Sequence, residues 1–173
     1  MKVVVCALAK LDDEVRRRRP DGVVSLLSPD QPKPAVAGNP RRLVLRFNDV
    51  DEPKHGLIAP DAEAIIRLLD FGADLQSNAV VLLHCWMGIS RSPAAAFILG
   101  CTLAPETPEA DIARALRRAA PSATPNPLLV RLADGHLGRN GRMIDAIEAI
   151  GRGREARRGT PFELDTDRMG ASP

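Results

Sequence analysis

Short apolar runs mark four strands in the first half of the chain. They cover residues 2–8, 22–27, 43–47 and 79–83, and the first of them consists largely of Val. Runs of this length, rich in Val and Leu and bounded by charged residues, Pro or Gly, are typical of strands in a buried sheet. The pattern therefore predicts that these four segments are the strands of the core.

Segments whose apolar residues have the spacing of a helix lie between these strands and make up the second half of the chain. Residues 11–19 form a charged segment that Pro20 closes, and Pro60 with Asp61 marks the start of a helix that ends before Gly72. The remaining helical segments are residues 93–103, 108–119, 127–133 and 142–150. Strands that alternate with helices imply a mainly parallel sheet, and the helical second half must cover its faces.

Length and composition fit one domain. A chain of 173 residues, 45% of them hydrophobic, is long enough for one well-buried core and too short for two ordinary domains. From Gly151 onward, Gly and Arg are frequent and the apolar period does not continue. We therefore predict a single domain at residues 1–150, followed by a flexible tail at residues 151–173.

The charge balance gives no general attraction to polyanions. Lys and Arg number 24 against 22 Asp and Glu, which leaves a net charge of +2. The arginine run at 16–19 follows acidic residues 12–14 at a spacing that favours helical ion pairs, so a solvated helix face is expected. Aromatic residues amount to 3%, which leaves little for stacking bases, and no apolar run approaches the roughly 18 residues of a membrane span. We expect neither a nucleic acid nor a membrane as partner.

The cysteines indicate a reducing compartment. Three are present, and their odd number and irregular spacing argue against a disulfide framework. Cys6 and Cys101 are expected to be small buried apolar residues. The apolar start of the chain meets Lys10 and Asp12 too early for a signal peptide. We expect a cytoplasmic protein that acts as a monomer.

The most informative stretch connects the fourth strand to the helix that follows it. It reads His84-Cys85-Trp86-Met87-Gly88-Ile89-Ser90-Arg91-Ser92-Pro93. A loop from the carboxyl end of a strand to the amino end of a helix is where an open parallel sheet binds ligands, because the first helical N–H groups are unpaired and the helix dipole is positive there. Gly88 allows a positive φ in the middle of the loop. Such a loop can wrap its N–H groups around a phosphate-sized anion.

Two side chains would convert this anion-binding loop into a reactive site. Cys85 lies at the base of the positive field, which favours a thiolate nucleophile. The planar guanidinium of Arg91 matches two phosphate oxygens and can follow them as the phosphoryl group flattens in the transition state. Ser92 is placed to donate a hydrogen bond to the sulfur when a thiophosphate intermediate breaks down.

The stretch resembles the signature loop of the cysteine-dependent protein tyrosine phosphatases, which is His-Cys, five residues, Arg, then Ser or Thr. The match covers His84, Cys85, Gly88, Arg91 and Ser92, and the surroundings look most like the small dual-specificity branch. The resemblance implies an α/β fold with a central, mainly parallel sheet of four or five strands flanked by helices in three layers. It also implies a cysteinyl-phosphate intermediate, no metal and no cofactor.

A general acid is expected in the loop at residues 47–53. This loop follows the third strand, so in a parallel sheet it emerges on the same edge as Cys85. Asp49 is nearest to the strand end, and its setting after Phe47 and Asn48 resembles the position of the acid in the dual-specificity branch. Asp51, two residues further along, remains the alternative.

The sequence thus predicts a phosphomonoester hydrolase, most simply a protein tyrosine or dual-specificity phosphatase that acts on a phosphorylated protein or peptide. The phosphate loop would consist of Trp86, Met87, Gly88, Ile89, Ser90 and Arg91. One alternative is an inactive phosphate-binding module, although such modules usually lose the cysteine or the arginine. Another is a phosphatase for a non-protein substrate such as a phosphoinositide, although the five residues before Arg91 lack the lysines often found there. A sulfur transferase fits the Arg and Ser less well, and a zinc site would need scattered ligands.

Overall fold

A five-stranded sheet lies at the centre of the chain. The computed structural model describes residues 1–166, and its strands are ordered β3-β2-β4-β1-β5. The strands are β1 at Lys2–Ala7, β2 at Gly22–Leu27, β3 at Arg41–Arg46, β4 at Val80–Cys85 and β5 at Phe162–Asp165. β1 to β4 pair in parallel, whereas β5 pairs antiparallel with β1. The predicted mainly parallel sheet is confirmed, and the segments after β2, β3 and β4 all emerge at one edge.

Six α-helices cover the two faces of the sheet within the described part of the chain, and a 3-10 turn at Leu8–Lys10 precedes the first. They are α1 at Leu11–Arg18, α2 at Ala62–Ala73, α3 at Arg91–Leu103, α4 at Glu109–Ala119, α5 at Pro127–His136 and α6 at Arg142–Ile150. α1 packs on one face with Val4 and Cys6 of β1, and the other five helices share a larger core with Val3 and Val5. This alternation follows the two-residue period of a strand, and it gives the three layers expected from the sequence.

α3 begins at Arg91, two residues before the start that the sequence predicts. Pro93 therefore lies in the first turn, where its missing N–H costs no hydrogen bond. Arg91, Ser92 and the residues that follow them as far as Cys101 are buried. The helix that follows the phosphate loop is thus the central helix of the larger core, which fixes the loop at its carboxyl end.

The prediction of a flexible tail from Gly151 is wrong for residues 151–166. Phe162–Asp165 form β5 at the edge of the sheet, with Phe162 and Leu164 buried in the larger core. Glu163 points away from that core and forms an ion pair with Arg18. An alternation over only four residues is too short to predict a strand from the sequence. The strand conformation of this segment depends on its hydrogen bonds to β1. Residues 167–173 of the predicted tail lie outside the described part of the chain.

No helix within residues 1–166 is both long enough and apolar enough to cross a membrane.

Loss of the Phe162 side chain should destabilise the whole domain. Phe162 is 6% exposed, so Phe162→Ala should lower the free energy of unfolding by about 3 kcal/mol, the usual scale for a buried Phe. Urea denaturation measures the change. Thr160→Ala, at an exposed position in the same segment, is the control and should change stability little. Equal, small effects of the two substitutions would mean that β5 does not contribute to the cooperative core.

Candidate active site

The carbonyl groups of the loop between β4 and α3 point away from its centre. Four of them accept hydrogen bonds from backbone N–H groups outside the loop. The N–H of Leu8 donates to the Trp86 carbonyl at 3.3 Å, and the N–H of Gly159 donates to the Met87 carbonyl at 2.9 Å. The N–H of Thr124 donates to the Ile89 carbonyl at 2.8 Å, and the N–H of Asn126 donates to the Ser90 carbonyl at 3.3 Å. Because a trans peptide directs its C=O and N–H to opposite sides, the N–H groups that follow these carbonyls point inward. The result is the concave set of donors that binds a tetrahedral anion.

Gly88 makes this curvature possible. It has a φ of +68°, as the sequence predicts for this position. A Cβ there would lie 2.8 Å from the backbone nitrogen of Ala7, at the end of β1. The inward N–H of Gly88 donates to Sγ of Cys85 at 3.3 Å. The N–H groups of Met87, Ile89 and Ser90 find no acceptor among residues 1–166, which leaves them free for a ligand.

Cys85 lies at the base of the loop with two donors on its sulfur. Its Sγ accepts hydrogen bonds from Gly88 N at 3.3 Å and from Ser92 Oγ at 3.1 Å. Cys85 is 2% exposed and Ser92 is fully buried, so little bulk water competes for the sulfur. Donors of this kind stabilise negative charge on sulfur, as does the amino end of α3. The contact expected between Ser92 and Cys85 is present.

Arg91 is held by groups that follow β2 and β3. Its Nη1 donates to the carbonyl of Phe47 at 3.1 Å and to Oγ of Ser28 at 3.3 Å. Its Nε lies 3.7 Å from Oδ2 of Asp49 and makes no hydrogen bond to any described residue. The Arg91 side chain is only 4% exposed. A buried guanidinium with a donor unused is ready to bind an oxyanion in the cleft.

Asp49 faces the same cleft. Its Oδ1 accepts hydrogen bonds from Ser90 Oγ at 2.7 Å and from Asn126 Nδ2 at 2.9 Å, and its side chain is 36% exposed. Asn126 also donates to the carbonyl of Val50 and, through its own Oδ1, caps the amino end of α5 at Leu129 N. The sequence does not predict that Asn126 contacts Asp49. Only the Pro-Asn-Pro at the start of α5 hints at a special residue there.

Asp51 lies outside the cleft. Its carboxylate forms an ion pair with Nζ of Lys54 at 3.0 Å, and its side chain is 67% exposed. The hydrogen bond from Lys54 lowers the pKa of Asp51 below its usual value. Of the two carboxylates considered for the general acid, only Asp49 is next to Arg91 and Ser90.

A cleft of about 680 Å³ opens above the loop. It is lined by Ser28, Gln31, Asp49, Cys85, Trp86, Met87, Ile89, Ser90, Arg91 and Ala156. The loop after β2 contributes Ser28 and Gln31. Arg46 fixes that loop by donating to the carbonyls of Pro29 and Gln31 at 2.9 and 2.7 Å. Trp86 stands at the rim and is 56% exposed.

His84 supports the loop from below. It is fully buried, and its Nε2 lies 2.7 Å from Oγ of Ser25 on β2. Burial, together with the charges of Arg42 and Arg91, lowers the pKa of His84 to about 4. The imidazole is therefore neutral at pH 7, which fits a residue that orients the loop rather than one that carries protons.

The other two cysteines are buried away from this site. Burial raises the pKa of Cys6 to about 12 and also raises the pKa of Cys101, so both remain thiols. Cys6 neighbours β4 but belongs to the smaller core on the opposite face of the sheet from Cys85. Within residues 1–166, no group of three or more His, Cys, Asp or Glu side chains is placed to hold a metal ion.

Solved structures with the same fold include phosphatases and a phosphatase-like protein. DUSP15 matches with a TM-score of 0.64 and 16% identity, over 86% of this chain and 89% of that one. The human tyrosine phosphatase-like serine/threonine/tyrosine-interacting protein matches with a TM-score of 0.63 and 16% identity, over 80% and 92%. PTPMT1 in complex with PI(5)P matches with a TM-score of 0.58 and 12% identity, over 86% and 91%. No protein-family model and no curated protein matches the chain. The chain therefore has the fold of the small dual-specificity phosphatases, as the signature loop leads one to expect.

The buried, neutral His84 should make stability depend on pH. The unfolded chain binds a proton at His84 near pH 6.5 and the folded chain only near pH 4. The contribution of His84 to the free energy of unfolding is therefore fully present above pH 6.5. As the pH falls toward 4, up to about 3 kcal/mol of this contribution is lost. Urea denaturation between pH 7 and pH 4 should show a shallower loss for His84→Gln than for the unsubstituted chain. His55→Gln, at an exposed histidine, is the control, and identical pH profiles for the two variants would contradict the assignment.

Proposed function

We propose that this chain is a phosphomonoester hydrolase of the cysteine-dependent type, acting on phosphotyrosine and on other phosphorylated residues of proteins or peptides. The observation that carries the proposal is the position of the Cys85 sulfur at the base of a ring of inward N–H groups. Arg91 and Asp49 border the same cleft. A phosphate group bound by this ring would present its phosphorus to the sulfur, with its leaving oxygen toward Asp49.

In the first step, a lone pair on Cys85 Sγ forms a bond to phosphorus as the P–O bond to the substrate breaks. The three equatorial oxygens are bound by the loop N–H groups and by the guanidinium of Arg91, which stabilise the charge on the flattened phosphoryl group. Asp49 gives its proton to the leaving oxygen. Ser90 and Asn126 hold Oδ1 of this carboxyl, so Oδ2 remains for the transfer.

In the second step, water attacks the phosphorus of the cysteinyl-phosphate. Asp49, now a carboxylate, takes a proton from that water as the S–P bond breaks and inorganic phosphate forms. Ser92, whose Oγ lies 3.1 Å from Sγ of Cys85 in the free chain, donates to the sulfur as it leaves as a thiolate. The cycle returns each group to its first protonation state, and it requires no metal or cofactor.

The features of the loop favour an active protein phosphatase over the alternatives. An inactive phosphate-binding module would keep the ring of N–H groups without needing Cys85, and both Cys85 and Arg91 are present. The loop residues Trp86 to Ser90 carry no charge that would bind the additional phosphates of a phosphoinositide. Three free cysteines, with the reactive one among them, suit the reducing cytoplasm, where we propose that the chain acts as a monomer.

Cys85→Ser should abolish hydrolysis of an aryl phosphate such as p-nitrophenyl phosphate, because a serine hydroxyl is a far poorer nucleophile here than a thiolate. The same variant should still bind inorganic phosphate, since the N–H ring and Arg91 remain. Release of p-nitrophenolate and isothermal titration calorimetry measure the two properties. Cys101→Ser is the matched control and should retain turnover. Turnover by Cys85→Ser near that of the unsubstituted chain would refute the proposal.

Asp49→Asn should lower kcat by about 100-fold, the usual scale for loss of a general acid. It should also flatten the alkaline limb of the pH–rate profile, because that limb reports the loss of the acid's proton. The effect should be smaller for aryl phosphates whose leaving group is already acidic. Asp51→Asn is the matched control, since its carboxylate pairs with Lys54 outside the cleft. If Asp51→Asn rather than Asp49→Asn shows this pattern, the acid is misassigned.

A further inference from the structure

A second cleft of about 470 Å³ adjoins the candidate active site. Ile89 and Ala156 line both clefts, so the two are contiguous. The other residues that line the second cleft are Ser122, Thr124, Arg152, Gly153, Arg154, Glu155 and Arg157. Most of its wall thus comes from residues 151–161, the irregular segment between α6 and β5. We call this second cavity the arginine cleft.

Backbone hydrogen bonds fix the segment that carries these arginines. Arg154 N donates to the carbonyl of Pro121 at 2.9 Å, and Gly153 N donates to Oγ1 of Thr124 at 3.1 Å. Further along, Gly159 N donates to the Met87 carbonyl of the phosphate loop at 2.9 Å. The segment is therefore attached at both ends of the arginine run, and one attachment is the phosphate loop itself.

Two glycines allow this close approach. A Cβ on Gly159 would lie 2.4 Å from the carbonyl oxygen of Gly88. A Cβ on Gly153 would lie 2.5 Å from the carbonyl oxygen of Ala123. Because any other residue would push the segment outward, these positions hold the arginine cleft at a set distance from Cys85.

Arg117 of α4 connects the two walls of the arginine cleft. Its Nη1 donates to the carbonyls of Pro121 and Ala123 at 2.9 and 2.8 Å. Its Nη2 donates to the carbonyl of Gly151 at 2.6 Å. One guanidinium thus holds the turn after α4 and the start of the segment together, and the opening is preorganised.

The arginines of the cleft are unpaired. Arg152, Arg154 and Arg157 are exposed, and among residues 1–166 none of their side chains has a hydrogen bond or an ion pair. Most arginines elsewhere are bound, as Arg41 is to Asp74 and Arg139 to Glu109. Three arginines and one acidic residue, Glu155, line this cleft. The excess positive charge next to the phosphate loop favours an anionic ligand.

We propose that the arginine cleft binds an acidic side chain, a carboxylate or a second phosphate, near the scissile phosphorylated residue of a peptide substrate. The proposal rests on the proposed function, because it places one substrate across both clefts. An extended peptide advances about 3.3 Å per residue, so a residue a few positions from the scissile one reaches past Ile89 and Ala156. Guanidinium groups bind carboxylate and phosphate with the same two-pronged geometry.

The test measures binding to the Cys85→Ser full chain, which does not depend on turnover. Three phosphotyrosine peptides are compared that differ only in the flanking residues, which are neutral, glutamate or phosphoserine. The acidic peptides should bind about tenfold more tightly than the neutral one, and this advantage should shrink as salt is raised. Adding Arg154→Ala and Arg157→Ala should reduce the advantage to about twofold.

The matched control removes two exposed arginines elsewhere, Arg16→Ala with Arg118→Ala, and should keep the full advantage. Equal binding of all three peptides, or an advantage that survives loss of Arg154 and Arg157, overturns the proposal. So does tighter binding of a soluble inositol bisphosphate through the same two arginines, since the occupant would then not be a peptide. If the unsubstituted chain fails to hydrolyse aryl phosphates but the selectivity is present, the proposed reaction fails and the arginine cleft stands.

Discussion

The site depends on one constraint, namely that the carbonyl groups of the phosphate loop must point outward so that its N–H groups can point inward. A buried carbonyl without a donor is costly, so each outward carbonyl needs a partner from elsewhere in the fold. Those partners come from the end of β1, the turn after α4, the start of α5 and the segment before β5. The order of the strands and the packing of the helices can be understood as the arrangement that brings these four donors around one loop.

The same arrangement joins the loop to the candidate acid. Asn126 caps α5 through its side-chain oxygen, donates its backbone N–H to Ser90 and holds Asp49 through its amide nitrogen. Ser90 in turn donates to Asp49, and Arg91 contacts both Asp49 and the carbonyl of Phe47. A displacement of α5 would therefore move the carboxyl group relative to Cys85 as well as disturb the loop. Asp49, Ser90 and Arg91 are in this way held in one set of linked contacts.

The sequence predicts the parts of this site that local rules control. Cys85, Gly88 and Arg91 lie within one short connection, so strand and helix patterns plus the φ preference of glycine are enough to propose an anion-binding loop. The choice between Asp49 and Asp51 cannot be made that way, because it depends on Asn126, which is distant in the chain.

The edge strand β5 is missed for a similar reason. Phe162–Asp165 alternate apolar and acidic residues over only four positions, after a run of arginine and glycine. Their strand conformation depends on hydrogen bonds to β1, which sequence periodicity does not reveal. Contacts between segments far apart in the chain, rather than local propensity, decide both of these cases.

The contact of Gly159 with the phosphate loop also has a consequence for biosynthesis. A ribosome makes the loop long before it makes Gly159, so a nascent chain lacks the donor to the Met87 carbonyl and the strand that completes the sheet. Domains emerge and fold from the amino end at several residues per second. The loop therefore reaches its finished surroundings only after residues 159–165 have been made, and a chain that stops before Gly159 carries the signature loop without the support that shapes it.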